Sequence, residues 1–242
     1  MIALLLKEIN TFLNSLIAYV VISVFLTGLG LTLWVFPETS VLEYGFASME
    51  TLFITGPYVF MFLIPAITMR MFAEERKQGT LELLLTRPLT HWQIIFGKYL
   101  SSLVIIAFAL LPTLVYYYSI QYLGNPVGNI DTAAVIGSYL GLFLLGAVFA
   151  GIGIFASSIT ENQIIAFVLA VFISFLFYTG FSSIAAINVW GPMSPLLEQI
   201  GLLYHYDSIS RGLVDSRDVI YFLSMAGLML MLTKFSLETK RW

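Results

Sequence analysis

The stretch RMFAEERKQGTLELLLTRPLTHWQIIFGK, Arg70 to Lys98, is a long polar interval rich in basic residues between two apolar runs. It holds five of the chain's eleven Lys and Arg residues: Arg70, Arg76, Lys77, Arg87 and Lys98. Basic residues gather on the cytoplasmic side of membrane proteins, so the interval is expected to face the cytoplasm. Within it Gly79 breaks a charged segment and Thr80 is placed to cap a new helix. Leu81, Leu84 and Leu85 follow on one face at i, i+3, i+4 spacing, with Glu82 in the first turn, where the helix dipole favours an acid. Pro88 stops that helix, because the residue before a proline is pushed out of the α region. A second start signal comes next: Thr90 and Gln93 form a capping box, and Leu89 and Ile94 occupy the positions of a hydrophobic staple. The interval therefore predicts a helix end, a turn, a short amphipathic helix, a turn and the start of another membrane helix. A short helix with one apolar face on the cytoplasmic side is a docking element.

The chain around it is 242 residues long, 59% hydrophobic and only 10% charged, with a mean hydropathy of +0.93. Soluble domains carry about 25% charged residues, and a membrane span needs about 20 apolar ones, so the class is polytopic membrane protein. No basic patch is large enough for nucleic acid, and the absence of cysteine excludes disulfides, thiolate catalysis and Cys-ligated metal. The first apolar run is too long for a signal peptide and lacks an A-x-A cleavage site.

The expected fold is all-α and integral to the membrane, a single transmembrane unit over 1–242 with six spans. Residues 1–14 carry Ile2, Leu5, Leu6, Ile9, Phe12 and Leu13 on one broad face, with Lys7 and Glu8 elsewhere. That pattern suits an amphipathic helix lying in the membrane interface, or a membrane helix that begins early. The spans are expected at about 15–36, 51–69, 99–123, 132–158, 164–187 and 218–237. Pro57, Pro65 and Pro112 are expected to kink their helices, with neighbouring groups re-satisfying the freed carbonyls. Gly137/Gly141 and Ala147/Gly151 have the small-xxx-small spacing of close helix packing. Ser157 to Gln163 reads as a minimal cytoplasmic turn. Residues 188–218, divided by Pro192, Pro195, Gly201 and Gly212, read as short surface-lying or re-entrant helices on the outside. Val219 to Thr233 alone is marginal as a span. With both termini inside, nine basic residues (Lys7, Arg70, Arg76, Lys77, Arg87, Lys98, Lys234, Lys240, Arg241) face the cytoplasm against two outside, Arg211 and Arg217.

The first five spans contain no charged residue, whereas ion-coupled transporters place ionisable groups near the midplane. His91 and His205 fall on opposite sides, so neither serves Gly180–Ser183 as a base. His205 beside Asp207 reads as ordinary loop polarity, no H-E-x-x-H zinc motif occurs, and no metal site is expected. Gly97-Lys98 is not a phosphate loop, because Tyr99 follows in place of Ser or Thr. A membrane body without its own energy source, bearing a docking helix, suggests a non-catalytic subunit driven from outside itself.

Glu75 to Pro88 (ERKQGTLELLLTRP) followed by Gly97-Lys98 resembles the E-x-x-x-G-T-x-E-x-L-L-x-x-P…G-K signature of type-2 ABC transporter permeases. Pro195 to Phe222 resembles, within that superfamily, the gliding-motility-associated permease subunits. The resemblance implies a bacterial inner-membrane permease whose partner ATPase subunit binds ATP and Mg, so the chain itself holds no cofactor. It further implies a second permease copy or sister permease, a subunit with a large extracytoplasmic domain, and contact with membrane lipid. Glu74, Glu75, Gly79, Thr80, Leu81, Glu82, Leu84, Leu85 and Pro88 would form the ATPase-coupling element, with the three glutamates meeting basic groups on the ATPase. Two functions fit: an export permease linked to gliding motility, or an ATP-driven mechanical or assembly component of an envelope motility or secretion apparatus that moves no cargo.

Overall fold

A computed structural model describes residues 1–45, 47–86, 88–187 and 191–239. Arg87, Lys240, Arg241 and the beginning of the 188–218 segment lie outside the described residues. The chain is all-helical there, and six helical segments are long and apolar enough to cross a membrane: Leu16–Trp34, Glu50–Lys77, His91–Leu123, Thr132–Ile159, Gln163–Ala185 and Ser216–Thr239.

The first helix, α1 (Ile2–Leu13), meets α2 (Leu16–Trp34) at a corner where Ser15 caps α2 through Ala18 N–H. Arg70 braces this corner, donating to Ser15 Oγ at 3.0 Å and lying over the Phe12 ring. The buried residues of α1 are Leu4 and Phe12, with Glu8 half-buried between them, while Ile2 and Leu6 are exposed. The protein-facing stripe thus runs through Glu8, a residue the apolar pattern had left off the apolar face. The reason is an ion partner beneath it, described below.

A short α3 (Val41–Tyr44) leads to α4 (Glu50–Thr68), which runs through Pro57 and Pro65 without a break. A proline at position 57 cannot donate to the Phe53 carbonyl. That carbonyl instead accepts the Tyr206 hydroxyl at 2.7 Å, from a residue that is fully buried. The ladder is interrupted at Met69, and α5 (Arg70–Lys77) continues beyond it. The apolar helix and its charged extension together make one 28-residue segment, longer than the expected 51–69.

After α6 (Thr80–Leu85), α7 (His91–Leu110) opens on the expected capping box: both reciprocal bonds between Thr90 and Gln93 are present. The third apolar segment therefore begins eight residues before the expected Tyr99. Around Pro112 the helix tightens to a 3₁₀ turn (Leu111–Thr113) and resumes as α8 (Leu114–Leu123).

The centre is α9 (Thr132–Ile159), capped by Asp131. In its most apolar window 78% of the residues are buried, against 22% in α2, so α9 is the helix the others surround. It packs against α4, α5, α7, α10 (Gln163–Phe175), α13 (Leu202–Ser210) and α14 (Ser216–Thr239). Ser157 and Ser158 belong to α9 rather than to the turn that follows, which is confined to residues 160–162. Beyond α10 a π-helical turn (Leu176–Gly180) precedes α11 (Phe181–Ala185).

The segment before the last apolar helix holds a 3₁₀ turn (Gly191–Met193), α12 (Ser194–Ile200) and α13. The last helix starts at Ser216 and runs 24 residues to Thr239, past both ends of the expected 218–237. Its first turn carries Asp218, buried against His205: Asp218 Oδ1 lies 2.7 Å from His205 Nδ1, while His205 Nε2 lies 3.0 Å from the Gln199 carbonyl. The His205 ring also stacks on Tyr221 at 3.9 Å. Sequence order puts Asp207 beside His205 as loop polarity; the fold brings Asp218 to it from a different helix.

Candidate functional site

The site is the α5–α6 turn and the helices that hold it. Gly79 adopts a left-handed φ of 66°, which an L side chain rarely takes, and this reverses the chain between α5 and α6. A Cβ at Gly79 would touch nothing among the described residues, so the requirement there is conformational. Gly79 itself is the N-cap of α6, in place of the expected Thr80. Thr80 is the first helical residue, and its hydroxyl donates at 3.3 Å to the Glu75 carbonyl, one of the last carbonyls of α5. Leu81 is buried, Leu84 half-buried, and Glu82 exposed in the first turn. The Leu85 side chain lies outside what is described. Thr86 closes the helix ahead of the exposed Pro88.

Under this turn lies a buried ion cluster. The Lys98 side chain, from α7, has no exposed surface. Its ammonium lies 2.8 Å from Glu8 Oε1 and 2.9 Å from Glu75 Oε1, donates at 2.6 Å to the Met71 carbonyl, and faces the Phe72 ring at 5.1 Å. Lys7 closes the set, 3.1 Å from Glu8 and 3.0 Å from Glu75. Burial alone would push the Glu8 carboxyl up, but Lys98 and then Lys7 outweigh it and hold Glu8 below the usual carboxylate range. Burial likewise opposes the charge on Lys7, and the Glu8 and Glu75 carboxylates reverse that and raise it. The four charges join α1, α5 and α7 in one block. Gly97 permits this approach: a Cβ there would lie 3.1 Å from the Leu4 side chain of α1.

Glu75 was expected to reach basic groups on a partner. Its Oε1 is committed to Lys7 and Lys98, and its Oε2 is buried with no hydrogen bond among the described residues. Glu74 is half-buried and accepts from Gln78 at 3.3 Å. Beside the cluster a groove of about 870 Å³ runs between α1 and the α5–α6 turn, lined by Leu4, Lys7, Glu74, Gln78, Thr80, Leu84 and Leu89 among others. The pairing of Lys98 with Glu75 was missed in sequence. The available signal was that the uncharged run of the third span begins only after Lys98, on a helix that a capping box starts eight positions earlier.

The small residues of α9 sit at three contacts. A Cβ on Gly137 would come within 2.9 Å of the Gly212 backbone, and one on Gly141 within 2.4 Å of Ile209. A Cβ on Gly151 would lie 3.2 Å from Met229 of α14. Ala147 is buried, and its carbonyl accepts the Tyr99 hydroxyl at 3.2 Å.

Two similar proteins are both named "Probable multidrug ABC transporter permease YbhR", from Escherichia coli strain K12 and Escherichia coli O157:H7. Each is 32% identical over 105 residues, covering 42% of this chain and 26% of the relative. The match thus spans about a quarter of the relatives' length. The family model described as "ABC-2 family transporter protein" matches residues 40–233, from the cap of α3 to within the last turns of α14. On a match of that extent, this chain belongs to the ABC-2 family of ABC transporter permeases.

Proposed function

We propose that this chain couples ATP hydrolysis on a separate ATPase subunit to export across a bacterial cytoplasmic membrane, with α6 as the coupling helix. As an ABC-2 permease it is a membrane subunit that does not itself catalyse, and the family context implies pairing with an ABC ATPase. The observation that carries the coupling reading is the α5–Gly79–α6 turn riding on a buried ion cluster. Such a turn is a short, rigid lever with an exposed acidic end, and force applied to it reaches α1 and α7 together. A ligand or partner shifts an equilibrium only by its differential affinity for the two states, so a rigid lever transmits more of ATPase closure than a loose loop would.

In this reading the end bearing α1, α5 and α6 is cytoplasmic, as the nine-to-two distribution of Lys and Arg favours, and α1 lies in the membrane interface as a second ATPase contact. Glu74 and Glu82 meet the ATPase, whereas Leu81 seats α6 on the chain's own core and Glu75 acts inside the chain. Pro88 frees the chain to turn back into α7. The residues 191–215 lie at the extracytoplasmic side, as surface or re-entrant helices, and the chain acts as one domain with a second permease copy or sister permease. Export of drug-like compounds would follow the name of the Escherichia coli relatives; the link to gliding motility, and a partner with a large extracytoplasmic domain, rest on the Pro195–Phe222 resemblance alone.

The test is co-purification with candidate ATPase subunits, comparing the native chain with a Gly79→Pro, Leu84→Asp double variant. Loss of the ATPase from a variant that stays monodisperse supports α6 as the contact. An ATPase that binds both equally rejects it.

A further inference from the structure

The break between α4 and α5 is filled by a side chain from another helix. The amides of Phe72 and Ala73 both donate to Ser157 Oγ of α9, each at 3.0 Å, and the Ser157 hydroxyl donates to the Met69 carbonyl at 2.8 Å. Ser157 is fully buried. One turn earlier on α9, Gly153 leaves a notch for Thr68: a Cβ at Gly153 would lie 1.9 Å from Thr68 Oγ1 and 2.9 Å from Thr68 Cβ. Insertion of a side chain into the helical ladder is an identifiable cause of a bend.

We propose that Ser157 is a positioning residue: its hydroxyl clasps a two-state joint that lets the α5–α6 lever tilt against α4 and transmits that tilt to α9. The hydrogen-bond count supports two states. Three donors are involved: the Phe72 and Ala73 amides and the Ser157 hydroxyl. In a straightened helix the amides turn to the Thr68 and Met69 carbonyls, and Ser157 back-bonds to the Gly153 carbonyl four residues earlier, as serine does within helices. All three donors are satisfied in both arrangements, so neither leaves a buried polar group unpaired, and that loss is what would otherwise forbid the motion. Discrete alternatives of this kind convert a small displacement into a defined movement. With eight residues at 1.5 Å rise, α5 is a lever of about 12 Å, and a change in bend of about 20° moves its tip by about 4 Å.

The nucleotide dependence of the joint rests on the coupling reading; the joint itself does not. The chain has no cysteine, so spin labels at Lys77→Cys and Ile136→Cys, both exposed positions, report α5 against α9 without background. Pulsed dipolar spectroscopy is run on the full chain with its ATPase in lipid nanodiscs, with and without vanadate-trapped ADP. The native chain is expected to show two distances about 4 Å apart, with trapping changing their ratio. Ser157→Ala is expected to leave one distance that trapping does not change. Gly153→Ala, which keeps the hydroxyl but displaces Thr68, is expected to depopulate the clasped distance and stands as the independent variant should Ser157→Ala not assemble. If both variants keep the native distribution, the proposal is overturned. If the variants collapse the distribution but trapping leaves the native chain unchanged, the joint stands and the coupling reading falls.

Discussion

Replacing Lys98 by methionine keeps nearly all of the side chain's volume and removes its charge together with its N–H donors. The ammonium is in contact with Glu8 and Glu75 at 2.8 and 2.9 Å and with the Met71 carbonyl at 2.6 Å, with no exposed surface. At that separation one ion pair is worth about 6 kcal/mol for an effective dielectric of about 20, before the cost of taking both charges out of water. What the variant exposes is mainly that cost: two carboxylates, 10% and 13% exposed, are left facing each other with only Lys7, itself half in solvent. Breaking a buried pair from one side costs about 3–5 kcal/mol. At about 2–4 °C per kcal/mol this lowers the melting temperature by about 6–20 °C. The assay is thermal unfolding of the purified chain in a fixed detergent, followed by light scattering and intrinsic fluorescence. Glu75→Gln added to Lys98→Met removes one stranded charge and is expected to recover about 1–3 kcal/mol of the loss. A Lys98→Met protein melting within about 4 °C of native, or a double variant no better than the single one, would refute the view that these charges hold α1, α5 and α7 together.

Tyr206→Phe strands the Phe53 carbonyl and is expected to cost about 1–3 kcal/mol; Pro57→Ala restores an amide donor to that carbonyl, so the two changes together should cost less than their sum in the same melting assay. Gly137→Ala drives a methyl into the Gly212 backbone and is expected to destabilise by about 1–3 kcal/mol, seen first as faster proteolysis between α13 and α14. Because Glu8 is held below the ordinary carboxylate value of about 4.3, its contribution is complete above that pH and is lost as pH falls through its folded value. A Glu8→Gln chain should therefore melt below native at pH 7 and converge with it as pH falls through the lowered Glu8 value; curves that stay parallel would reject the ion-pair account.

Much of the frame was legible because it follows from local rules. The Thr90–Gln93 box, the stop before Pro88 and the reversal at Gly79 each use residues within a few positions of one another, and apolar length located all six long helices. The missed features depend on residues far apart in sequence. Glu8 and Lys98 are ninety positions apart, so no periodicity could place a glutamate of α1 on its buried side. Val219 to Thr233 alone is 15 residues and marginal, and the helix runs past both ends of it, with Asp218 in its first turn held against His205 from another helix. Ser157 reads as a turn residue by type and proves to be a buried hydroxyl whose partners lie more than eighty positions earlier. At the candidate site the turn at Gly79 was readable, while the division of labour between Glu74 and Glu75 was not. Neighbouring glutamates look alike until the opposing helix is known.

The bond from Tyr206 to the Phe53 carbonyl sets an order of assembly. Ribosomes deliver Phe53 and Pro57 long before Tyr206, which follows 153 residues later. Until α13 is made, the second apolar helix carries a bare carbonyl in its first third, a group that costs several kcal/mol in hydrocarbon. Early in biogenesis that helix is therefore better accommodated beside the wet interior of the insertion machinery than in lipid, and it can settle only once the penultimate helix has docked. A nascent chain truncated before residue 206 should remain crosslinkable to the insertion machinery through α4, and one extended past α14 should be released.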